Sequence, residues 1–284
     1  MRTLYQQFTT QAEIDAAYNP SLGLDSQAIM AHFHQQAERA RNTLDYLPKI
    51  SYGPTLDETL DIFPAEQAGA PVLVFIHGGY WRSLSAADFS GIALGPRALG
   101  MTVVSIDYSL CPKVGIDEIT RQARAAVAWV LRHIEKYNGD PKRVSIAGHS
   151  AGGHLAAMCL QTDWVGEYGL PAQPLRAGLL VSGLFDIAPL RYSYLQPMLQ
   201  LSDGVIRRNS PMFGCQHSPA QVLLTWGGRE SAEFERQSTD FLQQWQEAGN
   251  SGALLRQAEA DHFTALHGFE RSDSALCEWL SQQA

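Results

Sequence analysis

A serine flanked by small residues, Gly148-His149-Ser150-Ala151-Gly152, directly follows the β-rich run Arg143-Val144-Ser145-Ile146-Ala147 and opens a helical pattern from Gly153 to Gln161. A hydroxyl is a weak nucleophile until a base takes its proton. In a sharp strand-to-helix turn the central serine stands clear of the sheet, and the glycines keep neighbouring backbone from colliding with it. The chemistry this points to is acyl transfer through Ser150. A phosphate-binding loop would need Lys-Ser or Lys-Thr close behind, and neither is present.

The base should arrive late in the chain, on a loop at the carboxyl edge of the sheet. His262, in Ala260-Asp261-His262-Phe263, follows the last strand candidate and fits; His267 lies about one helical turn further on and reads as structural. A third member must hold the imidazole tautomer and stabilise its cation. Glu230 follows the strand candidate Gln221 to Thr225, with Glu233, Asp240 and Asp186 as rivals, the last placed after an earlier strand. Upstream, His77-Gly78-Gly79-Tyr80-Trp81 follows a strand ending at Ile76. Paired glycines there let N–H groups turn toward a reacting carbonyl, so Gly78, Gly79 and the N–H of Ala151 form the expected oxyanion hole. Tyr80 and Trp81 are then expected in the wall of a substrate pocket.

The elements that position these residues alternate. Strands are expected at Pro71–Ile76, Met101–Ile106, Arg143–Ala147, Ala177–Val181, Gln221–Thr225 and Ala253–Gln257. Helices are expected at Gln122–Tyr137, Gly153–Gln161, Ala232–Glu247 and Ser272–Ser281. Such alternation implies a mostly parallel sheet with helices on both faces, an α/β class. Residues 1–60, with one helical candidate from Gln27 to Leu44, read as an N-terminal extension packed on a catalytic domain of 61–284. The stretch from about 186 to 220 is too long for a bare connection and reads as a small cap over the site.

Composition excludes other classes. A net charge of −8 without a basic tract argues against nucleic acid and anionic membranes. No apolar stretch approaches the ~20 residues that span a bilayer, and no signal-like region opens the chain, so a cytoplasmic location is expected. Cys111, Cys159, Cys215 and Cys277 lack Cys-x-x-Cys spacing. His32 and His34 have no further clustered ligands, cannot make a metal site unaided, and read as surface residues. No metal or cofactor is expected. The expected partners are a small-molecule substrate and, at most, a second copy of the chain.

With these residues in view, the sequence resembles the kynurenine formamidase (arylformamidase) group of the hormone-sensitive-lipase-like α/β hydrolases. The resemblance runs through Tyr18-Asn-Pro20, Ser51-Tyr-Gly53, Leu60-Asp-Ile-Phe63, His77 to Trp81, Gly148 to Gly153, Glu233 to Ser238 and Asp261 to Phe263. It implies the α/β-hydrolase fold and a serine, acid, histidine triad carried by Ser150, Glu230 and His262. Glutamate here stands where the family usually has aspartate. The implied activity is removal of a formyl or short acyl group from an aryl amide or ester, as in N-formylkynurenine to kynurenine and formate. A short-chain carboxylesterase is the alternative, and a ligand-binding pseudo-hydrolase the non-enzymatic one.

Overall fold

Runs of aliphatic and β-branched residues supply a sheet of eight strands in the computed structural model, which describes residues 3–284. The strands are β1 (Leu47–Ser51), β2 (Thr59–Phe63), β3 (Ala70–Ile76), β4 (Thr102–Ile106), β5 (Gly139–His149), β6 (Leu175–Val181), β7 (Gln221–Gly227) and β8 (Gly252–Gln257). Their order across the sheet is β1-β2-β4-β3-β5-β6-β7-β8. β1, β2 and β4 pair antiparallel, and every later pairing is parallel. This is the α/β-hydrolase fold.

Ten α-helices among the described residues accompany the sheet: α1 (Gln11–Ala17), α2 (Ser26–Thr43), α3 (Leu94–Ala98), α4 (Ile116–His133), α5 (Ala151–Leu160), α6 (Trp164–Tyr168), α7 (Gln196–Leu199), α8 (Asp203–Arg208), α9 (Ala232–Glu247) and α10 (Ala275–Gln282). Alternation along β3 divides the core. Val72, Val74 and Ile76 join a cluster with Ile119, Ala123 and Val127 of α4, while Leu73 and Phe75 face Phe89, Phe269 and Leu280. On α4 the buried Ile116, Ile119, Ala123, Ala126, Val127 and Val130 form one stripe at helical spacing. Asn138, left-handed at φ 64°, turns the chain into β5.

Six expected strands and the principal helices are present, with ends shifted by a few residues. The sheet, however, starts at Leu47 and not near Pro71. β1 is mostly exposed, holds Pro48 and slips register between Leu47 and Ile50, so it carries no alternation to read. β2 has Asp61 in its middle, 2% exposed, accepting from the Tyr46 hydroxyl at 2.8 Å and the Lys49 N–H at 2.9 Å. That carboxylate interrupts the apolar run while remaining satisfied inside the protein.

The segment before β1 is fastened to the rest of the chain. The Tyr18 hydroxyl donates to Glu233 Oε2 on α9 at 2.5 Å and accepts from Gln237 Nε2 at 3.2 Å. Ser231 Oγ donates to the Ala17 carbonyl, Tyr80 to the Tyr18 carbonyl, and Tyr5 to Asp186 Oδ2 at 2.8 Å. Tyr18 is fully buried, so its hydroxyl has these partners in place of water. Tyr18→Phe is expected to cost about 1–3 kcal/mol, because it strips a donor from a buried carboxylate. Urea unfolding checks this: a midpoint that stays put would mean the fastening adds nothing to stability.

Candidate active site

The turn between β5 and α5 holds Ser150 at φ 56°, ψ −119°, a region costly for any residue with a side chain. Two contacts impose it. A Cβ on Gly148 would fall 2.1 Å from the Gly152 carbonyl oxygen, and one on Gly152 would fall 1.9 Å from that of Ile76 at the end of β3. Only glycine admits such approach. The Ser150 N–H is anchored to the Val181 carbonyl of β6 at 2.8 Å.

His262 follows β8, and its Nδ1 lies 2.6 Å from Glu230 Oε2. Glu230 is carried by the turn after β7, with a side chain 1% exposed. Its other oxygen accepts from Ser182 Oγ and from the Gly227 N–H, each at 2.6 Å. As an acceptor beside Nδ1, the Glu230 carboxylate orients the His262 ring with a proton on Nδ1, which leaves Nε2 available as an acceptor. Asp186, the rival acid, is engaged elsewhere, by Tyr5 and by the Ala188 N–H at 2.9 Å. Glu233 is engaged by Tyr18 and Arg236, and Asp240 by Arg236.

His149, inside the elbow, touches His262 directly. Its Nε2 lies 2.8 Å from the His262 carbonyl, with ring centroids 4.5 Å apart. Burial, and then the neighbouring His262, hold its pKa far below the usual histidine value, so it is neutral and donates through Nε2–H. It thereby fixes the backbone that carries the base. Its position within the elbow was the only sequence signal for this role.

The loop after β3 lies against the elbow. A Cβ on Gly78 would come 3.2 Å from Ser150 Cβ and 3.0 Å from the His149 carbonyl oxygen. His77 Nδ1 lies 2.7 Å from the Gly78 carbonyl oxygen; burial keeps this histidine neutral, its pKa lowered to about 4. Tyr108 stacks on it at 4.3 Å and 6°. Since the peptide is planar and trans, fixing the Gly78 carbonyl on His77 aims the Gly79 N–H the opposite way. The Ala151 N–H, at the first position of α5, has no acceptor within its helix. Gly79, Tyr80 and Trp81 all have positive φ, at 105°, 50° and 56°. The loop is a strained turn held by its surroundings.

Ser150, His262, His149, Gly79 and Tyr80 line one cavity of about 630 Å³, a size suited to a small organic ligand. Trp81 corrects the expectation drawn from its position. It is fully buried, absent from that lining, and set edge-on against His154 at 4.9 Å. Consecutive residues of a turn face different ways, so Tyr80 reaches the cavity and Trp81 the core. The 186–220 segment contributes only Tyr194 to the lining, whereas Asp15 to Met30 contribute nine residues. His32 is not isolated either: it lies 2.7 Å from Glu270 Oε1, and its ring centroid is 4.2 Å from that of His267. These three are the one group of three or more such side chains among the described residues with spacing suited to a metal ion. No local pattern announces the grouping, because α2 and the turn near residue 267 meet only in the fold.

The BD-FAE family model matches residues 60–164, which span the oxyanion loop and the elbow. The kynurenine formamidase of Salmo salar is 30% identical over 251 residues, covering 86% of this chain and 83% of that protein. The chain belongs to the kynurenine formamidase family. A crystal structure from Silicibacter sp. tm1040, named as a candidate thioesterase, superposes with a TM-score of 0.84 at 27% identity, covering 95% of this chain and 99% of that one. Arylacetamide deacetylase of Rattus norvegicus is 35% identical, but over 38% of this chain and 32% of that protein. The chain is therefore an α/β-hydrolase enzyme, a hydrolase of arylformamidase or carboxylesterase type. Its similarity to a kynurenine formamidase extends beyond the part it shares with the deacetylase.

Glu230→Gln is expected to lower kcat by about 10²–10⁴, because the amide cannot hold the same tautomer. Asp186→Asn should cost far less. Turnover of both variants beside their circular dichroism spectra tests this, and a dead Asp186→Asn with an active Glu230→Gln would reverse the assignment.

Proposed function

We propose that the chain removes the formyl group from N-formyl aryl amines, with N-formylkynurenine as the leading substrate. The supporting observation is the reach of the formamidase similarity. It covers 86% of the chain, too much to be confined to the hydrolase centre that esterases share. The residues walling the cavity, from Asp15 to Met30, come from outside that centre.

In this reading Ser150 Oγ attacks the formyl carbonyl as His262 Nε2 takes its proton. Glu230 keeps the imidazole oriented and stabilises its cation. The oxyanion is received by N–H groups of Gly78, Gly79 and Ala151, already aimed before the reaction begins. His262 then returns the proton to the leaving aryl amine, giving a formyl-Ser150 ester. Water, deprotonated by His262, attacks this ester and releases formate. The partner in this reading is a small-molecule substrate. It includes a cytoplasmic location, supported by four cysteines that are all free thiols, as a reducing compartment favours. No helix among the described residues is long and apolar enough to cross a membrane.

The second reading is a short-chain carboxylesterase, favoured by the apolar side chains of Ile29, Met30, Leu84, Phe89 and Phe263 in the cavity. An open apolar acyl site rewards each added methylene by about 0.8 kcal/mol, whereas a small one excludes it. Ser150→Ala should lower kcat by roughly 10⁴–10⁶ on any substrate. For the wild type, kcat/KM is expected to fall from acetyl to butyryl to octanoyl p-nitrophenyl esters, with N-formylkynurenine cleaved well. A rise toward octanoyl, or no cleavage of N-formylkynurenine, would overturn the formamidase reading in favour of the esterase.

A further inference from the structure

The cavity has two formal charges in its lining besides the histidines, and they are opposite: Arg82 and Asp15. Arg82 is exposed, and among the described residues its guanidinium enters no ion pair. Its backbone is fixed to the oxyanion loop, where its N–H donates to the Gly79 carbonyl at 3.0 Å. Asp15, on α1, accepts the Tyr194 N–H at 2.7 Å through one oxygen and meets no cation among the described residues. Tyr194 touches both: its N–H donates to Asp15, and the Arg82 guanidinium carbon is 5.9 Å from its ring centroid. Ser150 and His262 share this cavity, with Phe89 and Phe263 also in its wall.

We propose that Arg82 and Asp15 form a recognition pair for an α-amino acid group carried by the leaving group. The guanidinium takes the carboxylate and the Asp15 carboxylate takes the ammonium. This rests on the formamidase reading and assigns two residues of the cavity wall to holding the leaving group. One cation and one anion beside an aromatic ring complement such a group, and a neutral aryl ester would leave both unused. Guanidinium favours this role because its planar fork matches a carboxylate.

The test uses competitive inhibition of p-nitrophenyl acetate hydrolysis, so it does not require formamide turnover. Kynurenine is compared with 2-aminoacetophenone, the same aryl ketone without the amino acid. In the wild type kynurenine should inhibit at least about tenfold more strongly, the value of one charge-assisted contact. Arg82→Gln should weaken inhibition by kynurenine about 10- to 100-fold relative to 2-aminoacetophenone, Asp15→Asn should weaken it less, and Arg82→Lys should restore part of the difference. Lys136→Gln, exposed and outside the lining, controls for net charge and should leave the inhibition ratio alone. Equal inhibition by the two compounds in the wild type, or a ratio untouched by Arg82→Gln, overturns the pair. Failure to cleave N-formylkynurenine with the ratio intact would instead remove the formamidase reading and leave the subsite standing.

Discussion

Two backbone loops approach each other so closely that Gly152 has no room for a Cβ and Gly78 has little, and the placement of Ser150 beside the loop after β3 depends on that approach. Gly152 at the start of α5 touches the carbonyls of Ile76 and His77, while Gly78 touches the His149 carbonyl and Ser150 Cβ. β3 and β5 are neighbours paired in parallel, with Ile76 opposite Gly148, so their carboxyl ends bring both loops to one place. The Ser150 backbone and the N–H groups around it are then set by the sheet register and two turns. Positive φ at Ser150, Tyr80 and Trp81 is strain that the surrounding packing must hold.

Electrostatics around this junction are arranged by burial. His77 and His154 are each pushed down to about 4, and His149 is pushed far down, so all three remain neutral near neutral pH. A neutral ring can brace a carbonyl without adding a charge that would oppose protonation of the base. His77 braces Gly78, His149 braces His262, and His154 braces Asn209 at 2.6 Å. The carboxylate bonded to the base, Glu230, has its remaining oxygen occupied by Ser182 and Gly227. Its length, unusual beside an aspartate, is absorbed by placing it in the turn directly after β7.

Local signals carried much of this into the sequence. The elbow, the paired glycines and the position of His262 are each written within a few consecutive residues, and strands β3 to β7 each carry an apolar run because both faces are covered there, while the edge strand β8 shows only as Ala253 to Leu255. What sequence hid was long-range. β2 carries a buried aspartate and β1 is an exposed edge, so neither shows a strand pattern. Tyr80 and Trp81 are equivalent in sequence, and only the turn sends them in opposite directions. The expected cap and the N-terminal extension differ most. Length and aromatic content draw attention to 186–220, yet that stretch gives the wall only Tyr194 while residues 15–30 give it nine residues, held there by contacts such as Tyr18 to Glu233 across 215 positions.

That placement ties selectivity to a different part of the chain from chemistry. Ser150, Glu230, His262 and the loop after β3 are carried by the ends of β5, β7, β8 and β3, with the segment before the sheet touching them only through Tyr80 to the Tyr18 carbonyl and Ser231 to the Ala17 carbonyl. The wall needs α1 and α2, fixed through Tyr18, Ala17 and Tyr5 to α9, the turn before it and the Asp186 turn. A leaving group therefore meets residues whose position follows from side-chain hydrogen bonds and not from sheet register. Such contacts can be exchanged one at a time without disturbing the close packing of the elbow. On the formamidase reading proposed above, the segment before the sheet is the part of the wall that meets the aryl group.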